Sequence, residues 1–216
     1  MFFYKFLSVL LRKNGKISFI VKLDKNSTIL DVGCGNNSPY RIKKLLPDCH
    51  YTGLDIDNYN QSKPNLANSY ILTTPSEFAS EIRNFNNTFD AVISSHNLEH
   101  CDDRDAVLLA MLNSLKVGGV IYMSFPCEKS VGFPSRTGTL NYYDDETHKF
   151  SPPKFKEILQ ILNKSGFEIQ YASKNYSPLI LRTIGFMLEP ISKVKNKLMR
   201  GTWEYYGFET IIIAKK

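Results

Sequence analysis

From residue 28 onward, apolar and polar positions change rhythm in a repeating way. Short runs rich in β-branched residues predict strands at Thr28–Val32 (TILDV), His50–Leu54, Ser69–Leu72 and Asp90–Ser94 (DAVIS). Val120–Phe125 (VIYMSF) is almost continuously apolar, as suits a parallel strand covered on both faces. Helical patterns fall between the strands. One lies near Tyr40–Leu46. Another, RDAVLLAMLNSLK, has Asp102 and Asp103 as candidate N-caps and Gly118–Gly119 as its stop. Pro153–Lys164 reads as a further helix ended by Gly166, and strands at Phe167–Ala172 and Phe208–Ala214 complete the order. This alternation predicts an open α/β sheet with right-handed crossovers. Such sheets bind ligands beyond the carboxyl ends of their strands, where strand order reverses. The loops after the first, second and fourth strands are therefore the places to look for chemistry.

Composition narrows the class. A chain of 216 residues with 43% hydrophobic content can hold one domain with its own core, which excludes a disordered, collagenous or disulfide-stapled protein. Cys34, Cys49, Cys101 and Cys127 lie far apart, with no CxxC pair, and fit a reduced, cytosolic setting. No apolar run reaches the roughly 18 residues of a membrane span. The opening MFFYKFLSVLLRKNG is apolar, but Lys5 interrupts it and no small-residue cleavage site follows, so it is not read as a signal peptide. The net charge of +6 is uneven. Residues 1–25 carry +5 and residues 182–201 carry +4, while 26–181 is mildly acidic at −3. A uniformly basic nucleic-acid binder is disfavoured.

The first loop carries the strongest local signal. In Asp31-Val32-Gly33-Cys34-Gly35 the two glycines permit a tight turn in which backbone N–H groups approach a ligand. An ordinary βα turn would look the same. However, Tyr51-Thr52-Gly53-Leu54-Asp55 ends the second strand and puts a carboxylate 20 residues beyond Gly35, where it can accept hydrogen bonds from both hydroxyls of a ribose. Nicotinamide dinucleotides call for a third glycine where this chain has Ser38, and no lysine or GKS/GKT faces a phosphate. A nucleoside without phosphates fits better.

ILDVGCGNN, YTGLDI, FDAVISSHNLEH and LKVGGVIYMSFP, in this order, resemble the successive motifs of class I S-adenosylmethionine-dependent methyltransferases. GFEIQY and FETIIIAKK resemble that fold's last two strands. The resemblance implies a Rossmann-like, seven-stranded, mostly parallel sheet with an antiparallel last strand and helices on both faces. It implies S-adenosyl-L-methionine as cofactor. Asp31, Gly33, Cys34 and Gly35 would lie at its methionine side, Asp55 on the ribose, Ile56 against the adenine, and Ser95 and His96 beside it. Two positions depart from the pattern. Asn37 stands where a glycine is common, although Asn tolerates a left-handed backbone. LTTPSEF follows the third strand, where an adenine-holding Asp is common.

Other constellations compete. His96-Asn97-Leu98-Glu99-His100 spells HxxEH, which on a helix would set both histidines on one face for zinc. It follows a buried strand and lacks an obvious third ligand, so no metal is assigned, a cation assisting methyl transfer being the other metal reading. Cys127 after the fifth strand is in the region of an RNA-methyltransferase nucleophile, but no basic aromatic surface surrounds it. SSHN stands where amino-group DNA methyltransferases have NPPY or DPPY. The loop Asn141–Phe150 resembles small-molecule and sugar O-methyltransferases in its Asp145, Thr147, His148 and Phe150. His148 is therefore the first candidate base and His100 the second, because an imidazole titrates near working pH. A loop-ordering role for His148 is equally compatible.

The expected layout is one domain. It comprises a helical flank (1–27), a cofactor-binding core (28–175), a helical insertion or lid (176–206) and a last strand (207–216). Phe2, Phe3, Phe6, Leu7 and Leu10 form the flank's apolar stripe, with Lys5, Ser8 and Arg12 outside it. SPLILRTIGFMLEPISKVKNKLMRG forms the insertion, divided by Pro190. The two flanks are expected to meet over the active-site mouth and to offer weak peripheral membrane contact. The expected acceptor is a hydroxyl of a small molecule or glycan precursor. A cofactor-binding protein without turnover and an RNA methyltransferase are the alternatives.

Overall fold

The computed structural model describes residues 10–216. Of the N-terminal stripe, Phe2, Phe3, Phe6 and Leu7 lie outside the described residues, and Leu10 is exposed. The elements run α1 (Lys16–Ile20), β1 (Thr28–Val32), α2 (Ser38–Leu45), β2 (His50–Asp55), β3 (Ser69–Leu72), α3 (Phe78–Arg83) and β4 (Phe89–Ser95). A one-turn 3-10 helix (Leu98–His100), α4 (Arg104–Ser114) and β5 (Leu115–Pro126) follow, then two more 3-10 turns (Glu128–Gly132 and Tyr142–Asp144). The chain closes with α5 (Phe155–Lys164), β6 (Glu168–Tyr176), α6 (Leu179–Val194), α7 (Thr202–Tyr206) and β7 (Glu209–Lys215).

The seven strands form one sheet in the order β3-β2-β1-β4-β5-β7-β6. Neighbours from β3 to β5 pair in parallel, whereas β7 is antiparallel to both β5 and β6. The expected sheet is present, and its order reverses between β1 and β4. Val32 lies beside Leu54 on one side and Ser94 on the other, so β1, β2 and β4 end level and their loops open at one edge.

Alternate side chains of each central strand enter opposite cores. Leu30, Val32 and Val92 meet Phe78 and Ile82 of α3, Val107 and Met111 of α4, and Leu162 of α5. Ile29, Ala91 and Ile93 meet Phe19 of α1 and Ile42 and Leu45 of α2. Each large side chain buried this way is worth about 1.5–3 kcal/mol, so both faces of the sheet are held by helices.

Three expectations need correction. α4 stops at Ser114 rather than at Gly118, because Leu115 is already paired with Phe89 of β4. α6 runs unbroken through Pro190, whose missing N–H costs one hydrogen bond on an exposed turn instead of dividing the helix. α3 did not appear in the sequence reading, because six residues (FASEIR) carry too little periodicity. Of the two candidate caps of α4, Asp103 does the capping, accepting the Ala106 N–H at 2.9 Å. Asn37 adopts the left-handed conformation (φ 54) anticipated for it.

Candidate active site

A cleft of about 770 Å³ opens at the edge where β1, β2 and β4 end, within the range that takes a small-molecule ligand. Its floor is the glycine turn. Gly33 (φ +66) donates its N–H to Leu54 O at 2.9 Å, and a Cβ there would lie 2.2 Å from Asn97 Oδ1, so no side chain fits. Gly35 (φ +59) differs: a Cβ would meet nothing within 4 Å, because the residue faces the open cleft. Its N–H donates to Asp55 Oδ2 at 2.6 Å, and the Ile56 N–H donates to Asp55 Oδ1 at 2.8 Å. Asp55 is thereby fixed at the end of β2 and still has lone pairs for a ligand. Burial holds its pKa above the ordinary carboxylate value despite these hydrogen bonds.

The other residues assigned to the cofactor divide into two groups. Ile56 is exposed on the cleft wall beside Tyr59, Phe78 and Ala79, and His96 also lines it. Asp31, Cys34 and Ser95 lie beneath or beside the wall. Asp31 is fully buried, accepting from Ser38 Oγ at 2.6 Å and Tyr51 OH at 2.9 Å, with Lys16 Nζ at 3.3 Å. It ties α1 and α2 to the base of the turn. Burial pushes the Cys34 thiol up to about 12, so this cysteine is inert. Ser95 Oγ is 3.1 Å from Ser124 Oγ. Cys127 is buried with its thiol also raised by burial, which opposes a nucleophilic role.

The HxxEH segment does not form a helix. His96 takes a left-handed backbone (φ 54), and only Leu98–His100 make a 3-10 turn, so the two histidines point to different places. His96 Nδ1 is 3.0 Å from Glu99 Oε1 and its Nε2 is 3.2 Å from Glu209 Oε1, while its ring stacks near Trp203 and Phe208. Burial alone would neutralise this imidazole, but hydrogen bonds to the two carboxylates outweigh it and raise the pKa to about 10. Glu209 is pulled the other way: burial would raise it, yet His96 and Arg12 bring it down to about 2. Arg12 also lies 3.6 Å from Glu204, so the N-terminal flank does meet the insertion, at α7. No residue of the insertion lines the cleft, whose upper wall is instead His100, Glu146, Thr147 and Lys149.

His100 and His148, 48 positions apart, lie with ring centroids 4.8 Å apart. Arg104 joins their two loops, donating from Nε to Leu98 O (3.0 Å), from Nη1 to Ser151 O (2.5 Å), and from Nη2 to Tyr142 OH (3.1 Å) and Lys149 O. His100 reaches the cleft, whereas the His148 side chain is only 4% exposed and sits behind it against the Tyr142 ring.

Residues 6–172 match the protein family described as methyltransferase domain. The chain belongs to that family. A relative in Methanocaldococcus jannaschii, an uncharacterized protein, is 27% identical over 175 residues, covering 76% of this chain and 46% of that one. The chain thus spans about half the length of the curated relative it matches. Among solved structures, a SAM-dependent methyltransferase from Archaeoglobus fulgidus superposes with a TM-score of 0.53 at 20% identity, covering 99% of this chain and 100% of that one. The [4+2]-cyclase SpnF superposes with a TM-score of 0.58 at 17% identity, covering 98% and 80%. At such identities these likenesses concern the fold, and SpnF carries another reaction on it.

Several residues in and around this cleft escaped the sequence reading. Tyr59 lies in an irregular loop, and Asn97 is recognisable only through its clash with a Cβ at Gly33. Phe78 and Ala79 belong to the unexpected α3 and form the wall where an adenine-holding Asp was missing from LTTPSEF. Glu99 O accepts from the Lys149 N–H at 2.8 Å, and Arg104 reaches Tyr142, Lys149 and Ser151, contacts with the distant 142–151 loop that no local pattern shows.

Proposed function

We propose that this methyltransferase uses S-adenosylmethionine to methylate a hydroxyl of a small molecule or glycan precursor. One observation carries the reading: Gly35, open to the cleft, stands against the fixed carboxylate of Asp55, and His100 lines the same cleft. The residues suit the cofactor. Gly33 and Gly35 leave room for the methionine portion, Asp55 keeps acceptor lone pairs for a ribose, and the exposed Ile56 and Tyr59 offer apolar surface to an adenine. When bound, S-adenosylmethionine supplies a methyl carbon on a cationic sulfonium, from which the acceptor oxygen displaces a neutral thioether in line.

The chain's own part is positioning and proton removal. His100 stands on the wall that an acceptor would face, and an imidazole there can take the hydroxyl proton as the oxygen attacks. His148, behind it, fixes the ring from the buried side. Asp31, Cys34 and Ser95 act as supports of the turn and not as ligand contacts. His96, held as an imidazolium between two carboxylates, is a poor base and serves instead to hold β7 to the end of β4.

Calorimetric titration with S-adenosylmethionine, followed by labelled-methyl profiling of metabolites and glycans in cells with and without the protein, tests the reading. Cofactor binding with a labelled ether product is the expected result. Cofactor binding with no product across broad acceptor panels would favour a protein without turnover, and a steeply salt-dependent RNA affinity would favour an RNA methyltransferase. The absence of any cofactor affinity would overturn the reading altogether.

A further inference from the structure

The geometry points to a divalent-cation site made by Glu99, His100 and His148. One ligating atom from each lies within 4.8 Å of the other two. Two features outside the trio suit them to this. First, Glu99 is fully buried, and while its Oε1 meets His96, its Oε2 has no hydrogen-bond partner among the described residues. A buried carboxylate oxygen left bare is costly unless something completes it. Second, both imidazoles are held in one tautomer. His148 Nδ1 lies 2.5 Å from Tyr142 O, a carbonyl that can only accept, so Nδ1 carries the hydrogen. Thr147 donates its hydroxyl to Asp145 at 2.6 Å and therefore accepts from His100 Nδ1 at 2.9 Å. Both Nε2 atoms then present lone pairs, that of His148 with Asp145 Oδ2 3.9 Å away, the arrangement that orients histidines on a metal.

Two imidazoles and one carboxylate select a first-row transition ion such as Zn²⁺, Mn²⁺ or Co²⁺ over Mg²⁺ or Ca²⁺. His100 brings the site to the cleft wall and leaves coordination positions open on that side. An acceptor hydroxyl coordinated there would have its pKa lowered by the ion and would give its proton to water in the open cleft as its oxygen attacks the methyl carbon and the thioether leaves. This deepens the proposed function, since it rests on the acceptor entering at this wall, and replaces the bare imidazole as the group that activates the hydroxyl. His96 of the HxxEH segment is excluded, both its nitrogens being engaged by carboxylates.

The test uses full-length protein stripped with chelator and titrated with Co²⁺, Zn²⁺, Mn²⁺ and Mg²⁺, read by calorimetry and by the visible spectrum of Co²⁺. One equivalent of a transition ion should bind more tightly than Mg²⁺. Glu99→Gln and His100→Ala should each weaken it by at least about tenfold. No saturable binding by wild type, tighter binding of Mg²⁺, or binding untouched by both substitutions would overturn the assignment. S-adenosylmethionine titrated into the stripped protein reads the cofactor site separately, so the two proposals fail independently.

A different observation carries a second proposal. α6 turns an apolar stripe to solvent: Leu179, Phe186, Met187 and Val194 are 74%, 63%, 63% and 87% exposed, with Ile180 and Ile191 beside them. Side chains of this size in one exposed row mark a docking surface. Arg182, Lys193, Lys195, Lys197 and Arg200, all exposed, give it a basic rim. We infer that this face rests on an anionic lipid surface, apolar residues among the acyl chains and cations at the headgroups. Sedimentation with phosphatidylglycerol and phosphatidylcholine vesicles tests it. Binding to the anionic vesicles alone, lost at high salt and in Phe186→Glu/Met187→Glu, is expected. Negligible binding to both, unchanged binding of the variant, or a wild-type dimer that the variant abolishes would overturn it.

Discussion

Replacing Glu209 by Gln removes one negative charge from the row Arg12, Glu209, His96, Glu99 that joins β7 to the end of β4. The side chain is buried, and its pKa is drawn from an ordinary 4.5 to about 2. The shift of roughly 2.5 units corresponds to about 3 kcal/mol by which the charged form favours the folded state. A depressed carboxylate stabilises above its unfolded pKa and loses that contribution as pH falls toward the folded value. Glu209→Gln should therefore cost about 3 kcal/mol in urea unfolding at pH 7. The gap from wild type should shrink below pH 5 and fall to roughly half by pH 3. In parallel, His96 keeps only Glu99 as its carboxylate partner, so its imidazole should titrate lower than the wild-type value of about 10. Unfolding curves at pH 7, 5, 4 and 3 decide the matter. A gap that stays constant over this range, or a variant as stable as wild type at pH 7, would refute the charge argument.

Asp55→Ala should weaken S-adenosylmethionine binding by about ten- to a hundredfold, since a charged hydrogen-bond partner is worth roughly 1.5–3 kcal/mol. Calorimetry on a variant with wild-type far-UV circular dichroism checks it, and unchanged affinity would remove Asp55 from the ribose. His100→Ala should lower methyl transfer to the true acceptor by roughly 10²–10⁴ while leaving cofactor affinity alone. Near-normal turnover across pH would take His100 out of the chemistry at the cleft wall.

The glycine-turn side of the cleft was legible in the sequence as local geometry, because its parts are close along the chain. A strand, a turn and a helix bring Gly33, Gly35 and Asn37 together within five positions, and the parallel register of β1 with β2 places Asp55 beside them. Turn chemistry and strand periodicity are short-range rules, and they suffice here. They did not separate residues that line the cleft from residues buried behind it. Asp31 and Gly33 are two positions apart, yet one is sealed beneath the sheet by Ser38 and Tyr51 while the other borders the cleft. That difference depends on which way a side chain leaves the strand end and on what packs over it.

The histidine side of the cleft was less legible, for the opposite reason. HxxEH directs attention to two histidines four positions apart, as a helix would pair them, but the left-handed backbone at His96 breaks that pairing before it begins. His96 then turns to a carboxylate 113 positions away, and His100 to His148 in the 142–151 segment, which Arg104 holds by hydrogen bonds to Tyr142 and Ser151. Glu99 stands at the junction, one oxygen on the His96 row that reaches β7 and the other, among the described residues, bare beside His100 and His148. No spacing rule contains that arrangement. A buried carboxylate satisfied on one side only is a property of the folded chain, and the bare oxygen is the feature that distinguishes a site prepared for a cation from a pair of histidines ordering a loop.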